Sequence, residues 1–424
     1  MSTMSTASDQ QYDAIVIGGG PGGSTAAALL AERGHHVILL EKEHFPRYHV
    51  GESLLPYAYF PLKRLGMIEQ MKASRFPRKH AVQFVSTGGK VATPFYFFDH
   101  MDHESSTTWQ VERSEFDHML LVNAQQKGVE VQQQTRVLEL IEEEGRVIGV
   151  TAQSLDKVPF SVHAPLTIDA SGRSALAMTR NGWRRDDPQL NRVAFWTYYR
   201  GAMRDPGIDE GSTTIAYLPE KCWFWYIPLA DDVVSVGIVG EKDDLLAATH
   251  RPEDIFAQQI PLNLWIQQHL APGQQFGKYY GTREFSYRSE YCAQDGLVLV
   301  GDAFSFLDPV FSSGLYFALR SGELAADAVD AALSTGEVSA GRFHDYALRM
   351  MGEIEPMRKL VYAFYDTAFS FGKLIRNYPD VRKDLTDCLI GNLQKDFSQL
   401  FSAASELADL PEPLPYGRPQ ESVA

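Results

Sequence analysis

Gly18, Gly20 and Gly23 stand in the spacing G-x-G-x-x-G, directly after the apolar run Ala14-Ile-Val-Ile17 and ahead of an Ala/Leu-rich stretch, and Glu41 follows 23 residues after Gly18. Glycines permit a tight strand-to-helix turn whose backbone can approach a pyrophosphate. The unbonded N–H groups of the helix start meet its charge, and an acid ending the next strand accepts from ribose hydroxyls. A dinucleotide site is expected here. Two further acids, Asp169 in Ile168-Asp-Ala-Ser-Gly172-Arg173 and Asp302 in Leu299-Val-Gly-Asp302-Ala303, end apolar runs and suit a ribityl or ribose hydroxyl. No second G-x-G-x-x-G is present, so a separate nicotinamide site is not evident. Three other groupings carry chemistry. Lys79 lies between Arg78 and His80; Trp223-Phe-Trp225-Tyr-Ile227-Pro228 puts four aromatics in a row; and Phe306-Leu-Asp-Pro309-Val-Phe311-Ser312-Ser313-Gly314 precedes an apolar helix. A Ser-Ser-Gly turn at a helix start presents free N–H groups that suit a small anion.

These residues need elements to hold them. The unalternating runs Ala14 to Ile17 and Val37 to Leu40 read as parallel strands covered on both faces, with a helix to about Arg33 between them and Gly34 at its stop. The later run Gly296-Leu-Val-Leu-Val-Gly-Asp302 has the same character, so a strand of this first unit arrives late in the chain. Val193 to Gly240 alternates in places and is broken by Asp231-Asp232, which reads as antiparallel hairpins of a second, sheet-based unit. From about Phe343 to Leu407 the apolar spacing is helical, and Pro411 to Ala424 reads as a Pro-rich tail. The chain has 424 residues, 44% of them hydrophobic, which suffices for a large core. Lys and Arg number 39 against 54 Asp and Glu, a net charge of -15, so nucleic acid is not expected as a partner. Cys222, Cys292 and Cys388 are too few and scattered for a disulfide framework, which points to a reducing compartment. Met1 to Gln11 lacks a signal-peptide pattern and no apolar run is of membrane-spanning length, so a cytoplasmic, membrane-free protein is expected. Asp99-His-Met-Asp102-His103-Glu104 has metal-binding residue types at no compact ligand spacing, and no metal is expected. The aromatic stripe Tyr362, Phe364, Tyr365, Phe369 and Phe371 reads as core, with a lid over a cavity as the alternative.

The glycine turn, Asp169 and Asp302 together resemble the flavin-binding set of the aromatic hydroxylase superfamily. Trp-x-Trp-x-Ile-Pro at Trp223, Trp225, Ile227 and Pro228, and Phe-x-x-Pro-x-x-Ser-x-Gly at Phe306 to Gly314, resemble the flavin-dependent halogenases of its phenol/pyrrole branch; where those usually have Gly before the first tryptophan, this chain has Cys222. The resemblance implies an α/β fold: a Rossmann-like, glutathione-reductase-type FAD domain (1–75, 105–180 and 285–340), an inserted antiparallel-sheet substrate domain (76–104 and 181–284) and a helical region (341–424). It implies that FAD, reduced by a partner flavin reductase, is held by Gly18, Gly20, Gly23, Glu41, Arg47, Ser53, Arg113, Asp169 and Asp302. Chloride or bromide would sit at Ser313 and Gly314. Trp223, Trp225, Ile227, Pro228, Phe306 and Pro309 would wall a tunnel. Lys79 would be the catalytic lysine, donating a hydrogen bond to hypohalous acid or capturing its halogen as a haloamine. Tryptophan-specific members carry Glu where this chain has Phe311, so an electron-rich phenol or pyrrole is implied, free or tethered to a carrier protein. A direct aromatic monooxygenase and a non-catalytic flavin-binding protein are the alternatives.

Overall fold

The computed structural model describes residues 12–420, apart from the side chains of Glu284 and Phe285. Residues Met1 to Gln11 and the last four of the tail lie outside the described residues. Ala14–Ile17, Val37–Leu40 and Leu166–Asp169 are wholly buried and pair in parallel, as unalternating apolar runs require when helices cover both faces of a sheet. Leu297–Leu299 joins this sheet beside Leu166–Asp169, so the late strand does return to the first unit. The sheet has seven strands; Glu130–Gln132 forms one edge and the pair Tyr291–Gln294 and Arg418–Pro419 the other. The Pro-rich tail supplies that last strand: Tyr291–Gln294 offers an open edge, and Gln420 N–H donates to the Ala293 carbonyl at 2.7 Å.

The Pro21–Glu32 helix rides over the first strand and packs on the long Gly314–Thr335 helix at glycines from both. A Cβ at Gly322 would fall 2.4 Å from the Gly22 carbonyl oxygen. The second sheet has eight strands, in the order Ser305–Phe306, Gln274–Ser289, Arg184–Arg200, Val233–Glu241, Trp223–Pro228, Thr213–Tyr217, Ala81–Val85 and Phe95–Tyr96. All neighbours are antiparallel except Thr213–Tyr217 and Ala81–Val85. The hairpin after Pro228 turns at Asp231 and Asp232, both at positive φ, short polar residues that tolerate the left-handed region. Ser305–Phe306, expected within the FAD unit, instead pairs as an edge strand of this sheet. The helices His344–Tyr365, Phe371–Asn377, Arg382–Ile390 and Ser398–Ser405 complete the chain. No helix among the described residues is long and apolar enough to cross a membrane.

Candidate active site

A cavity of about 500 Å³ lies between the two sheets. Its floor is the glycine turn. Gly18 sits at φ +101 with the Ala170 carbonyl 2.5 Å from where a Cβ would be, so only glycine closes this turn. Gly20 lines the cavity, and the nearest atom to its missing Cβ is Arg47 Nη2 at 3.6 Å. Among the described residues, no side chain caps the Pro21–Glu32 helix that starts there. Free N–H groups at an uncapped helix start, beside an arginine and an open glycine cradle, fit a pyrophosphate. The residues present therefore fit FAD.

Glu41, Arg47, Ser53, Arg113 and Asp302 also line the cavity. Glu41 braces the turn, with Oε2 accepting from Gly19 N–H at 2.7 Å and Oε1 from Glu43 N–H at 2.8 Å. Asp117 anchors both arginines, taking Arg47 at 3.1 Å and Arg113 through two bonds of 2.8 and 2.9 Å. Arg113 in turn holds the Val50 and Gly51 carbonyls, and its charge, with burial, pulls His49 down to about 4. Burial pushes the Asp302 carboxyl up to about 6 against the opposing charges of Arg173 and Arg113. Two expected cofactor residues lie off the cavity. Asp169 is wholly buried and its two oxygens accept from Ser171 N–H (3.0 Å) and Ala177 N–H (2.8 Å), so it fixes the turn whose following residues, Ala170 to Ser174, line the cavity. Gly23 stands behind the cradle, where a Cβ would meet the Gly18 carbonyl at 2.0 Å, so it sets the approach of helix to strand.

Trp223, Trp225 and Ile227 line the cavity because successive strand residues face opposite ways. Phe224 and Tyr226 point into a separate core against the Pro252–Gln259 and Leu264–Leu270 helices. Gly237, paired with Trp225, lets the indole lie across it; a Cβ there would be 2.1 Å from the ring. Phe306 and Pro309 line the same cavity, whereas Pro228 does not. At the anion turn, Ser312 (φ +56) and Gly314 line the cavity, while Ser313 is buried off it at the uncapped start of the Gly314–Thr335 helix.

Lys79 does not touch the cavity directly. It is 2% exposed, on a two-residue strand paired with Thr108–Trp109. Its Nζ donates to Ser53 Oγ at 2.8 Å and to the Leu54 carbonyl at 3.2 Å, and it lies over the Phe97 ring. Ser53 and its hydroxyl partner Thr213 (2.9 Å) both line the cavity, so two side chains join the amine to it. Burial, with no carboxylate in ion-pair range among the described residues, pulls the amine down to about 7.

Two pairings escaped sequence reasoning. Tyr365 donates to Asp308 Oδ2 and accepts from Trp223 Nε1, both at 2.9 Å, tying the aromatic stripe to the tunnel wall; Phe364 and Phe371 pack on Phe311. Glu52, beside Ser53, is buried on the cavity wall and accepts from Tyr198. Both pairings join distant residues, so no local spacing signals them. The Asp99 to Glu104 stretch is a turn in which His103 Nδ1 accepts from Ser105 N–H and Glu104 engages Tyr59 and Lys72.

Fold and cavity together define a flavoprotein oxidoreductase with a buried lysine beside its cofactor site. The tryptophan halogenase family model matches residues 13–107 and 89–371. A 1H-pyrrole-2-carbonyl peptidyl-carrier-protein brominase of Pseudoalteromonas luteoviolacea is 32% identical over 385 residues, covering 90% of this chain and 92% of its own. The corresponding chlorinase of Pseudomonas fluorescens is 30% identical over 409 residues, covering 91% and 90%. The solved flavin-dependent brominase Bmp2 superposes with a TM-score of 0.85 at 30% identity, over 94% of this chain and 98% of that one. The myxobacterial chondrochloren halogenase CndH gives 0.80 at 32% identity, over 93% and 95%. The chain belongs to the flavin-dependent halogenase family, and is an FAD-dependent halogenase.

Proposed function

We propose that this enzyme halogenates a pyrrole ring presented on a carrier protein, with Lys79 controlling the hypohalous acid. Bound FAD, reduced by a separate flavin reductase, supplies with O₂ the oxidation of chloride or bromide to that acid. The observation that carries the role of Lys79 is its wholly buried amine, joined to the cavity through the Ser53 hydroxyl. An amine at about 7 is part ammonium and part free base at neutral pH, so both hydrogen-bond donation and haloamine formation are open to it. The tryptophan wall keeps water and ring away from the cofactor, and the N–H groups of Ser313 and Gly314 hold the halide. The pyrrole reading is supported by the two carrier-protein relatives, each matched over nearly its whole length. It is supported also by Phe311, which brings no carboxylate to assist attack on a less reactive ring. The three unpaired buried cysteines support a reducing, cytoplasmic setting.

The test supplies purified protein with FAD, a flavin reductase, NADH, O₂ and bromide or chloride. Pyrrole-2-carbonyl carrier protein, free pyrrole-2-carboxylate and simple phenols are offered in parallel and followed by mass spectrometry. Halogenated pyrrole on the carrier alone, lost in Lys79→Met, is the expected result. Product from free phenol only would overturn the substrate, and hydroxylated product without halide dependence would overturn the use made of Lys79.

A further inference from the structure

Halogenation consumes a proton. Written in balance, reduced flavin, O₂, halide, one proton and an aromatic C–H give oxidised flavin, the aryl halide and two waters. O₂ takes four electrons, two from the flavin and two from the halide as it becomes electrophilic; the C–H bond breaks as the C–halogen bond forms. A reaction carried out on the tryptophan-lined side of the cavity therefore needs a way in for that proton.

Glu52 is 3% exposed on the cavity wall. Its Oε2 is buried near the Ser235 hydroxyl with no hydrogen bond of good geometry among the described residues, while Oε1 accepts from Tyr198 OH at 2.7 Å. Tyr198 OH lies 3.0 Å from Tyr48 OH, and Tyr48 is 45% exposed. Trp196, two residues from Tyr198 on the same strand face, donates from Nε1 to Tyr48 OH at 2.5 Å and fixes the outer end. A buried carboxyl oxygen without a partner is costly, and protonation relieves that cost.

We propose that Glu52, Tyr198 and Tyr48 form a relay carrying one proton per turnover from solvent into the cavity. The proton leaves Glu52 Oε2 for an O₂-derived oxygen as it becomes water. Tyr198 reloads the carboxylate at Oε1 and takes its own replacement from Tyr48, and a half-turn of the carboxyl presents the proton again. The groups facing Glu52 agree with this. Burial raises its pKa to about 7, Glu112 adds to the rise, and the Tyr198 and Ser235 hydroxyls and the Arg113 guanidinium oppose it; burial and the Glu52 and Tyr280 charges hold Tyr48 at about 12, against its hydrogen bonds with Trp196 and Tyr198. A donor near neutrality both holds and releases its proton at the working pH. The relay rests on the halogenase reading, which supplies the demand for the proton.

Glu52→Gln keeps shape and neutrality, and Tyr198→Phe breaks only the reloading. Infrared difference spectra of the cofactor-free proteins should show a protonated-carboxyl band titrating near pH 7 in the wild type and missing from Glu52→Gln. With FAD bound at unchanged affinity by flavin fluorescence, and pyrrole-2-carbonyl carrier protein as the ring, Glu52→Gln should halogenate at least about tenfold more slowly and lose the rate decline above pH about 7. Tyr198→Phe should complete its first turnover at the wild-type rate and then slow about tenfold. A wild-type single-turnover rate and pH profile in Glu52→Gln would overturn the relay alone. Wild-type protein that yields no halogenated ring at all would overturn the halogenase chemistry and the relay with it.

Discussion

Replacing Lys79 by methionine should make the protein more stable at neutral pH while abolishing its activity. Burial lowers the amine from 10.5 to about 7, so in the folded state its charged form is penalised by about 5 kcal/mol, at about 1.4 kcal/mol per pH unit. A depressed lysine favours folding only above its unfolded value, and that contribution is lost as pH falls toward the folded one. At pH 7 the unfolded chain binds a full proton there and the folded chain about half, which leaves a cost of about 4 kcal/mol. Methionine removes it, and gives up two hydrogen bonds, to Ser53 Oγ and the Leu54 carbonyl, of about 1 kcal/mol each. The net gain is about 2 kcal/mol. With an unfolding entropy of about 0.9 kcal/mol/K for 424 residues, Tm should rise by about 2 °C. Melting curves of both proteins followed by tryptophan fluorescence should show that difference at pH about 7, shrinking to nothing by pH about 9 and changing sign above it, where the remaining charge cost falls below the two lost hydrogen bonds. A Lys79→Met protein that melts lower than wild type at pH 7, or a difference that ignores pH, would refute the claim that a desolvated amine waits behind Ser53.

Three further outcomes follow from close approaches in the structure. Gly23→Ala places a Cβ 2.0 Å from the Gly18 carbonyl, so the helix must back away from the strand; FAD affinity, read by flavin fluorescence, should fall at least about tenfold, and unchanged binding would contradict the role given to the cradle. Gly237→Ala places a Cβ 2.1 Å from the Trp225 ring; it should destabilise by about 1–3 kcal/mol and shift tryptophan emission as the indole leaves its seat. Tyr365→Phe removes the donor to Asp308 and the acceptor for Trp223. Losing that hydrogen bond should push Asp308, already raised to about 6 by burial, further up; Tm should fall by about 1–3 °C, and no fall would show that the tyrosine does not brace the wall.

What the chain discloses to a reader of its sequence is whatever a few neighbouring residues decide among themselves. The turn at Gly18 to Gly23, the alternating faces of Trp223 to Ile227 and the helix start at Gly314 are such cases, because backbone conformation and strand period act over a handful of positions. Asp169 shows the limit. Its place at a strand end was legible, yet whether it serves a ligand or the turn depends on where Ala177 N–H points. Lys79 between Arg78 and His80 carries no mark of its burial, since the groups that desolvate it come from Ser53, Leu54 and Phe97. Glu52 and Tyr198 are 146 positions apart and Asp308 and Tyr365 are 57 apart, and only the assembled sheets bring them together. The Arg418–Pro419 strand was hidden because its two residues pair only when an open edge is offered.

The long strands Arg184–Arg200 and Gln274–Ser289 are laddered together at both ends, while Ser289 N–H binds the Phe304 carbonyl and Glu290 N–H that of Trp183 at the junction with the first sheet. A clamshell motion about this seam would have to break those junction hydrogen bonds each cycle. Whatever timing the enzyme imposes on its oxidant must then come from rotations of individual rings and hydroxyls inside a rigid frame, and its tempo should be insensitive to how thick the surrounding medium is.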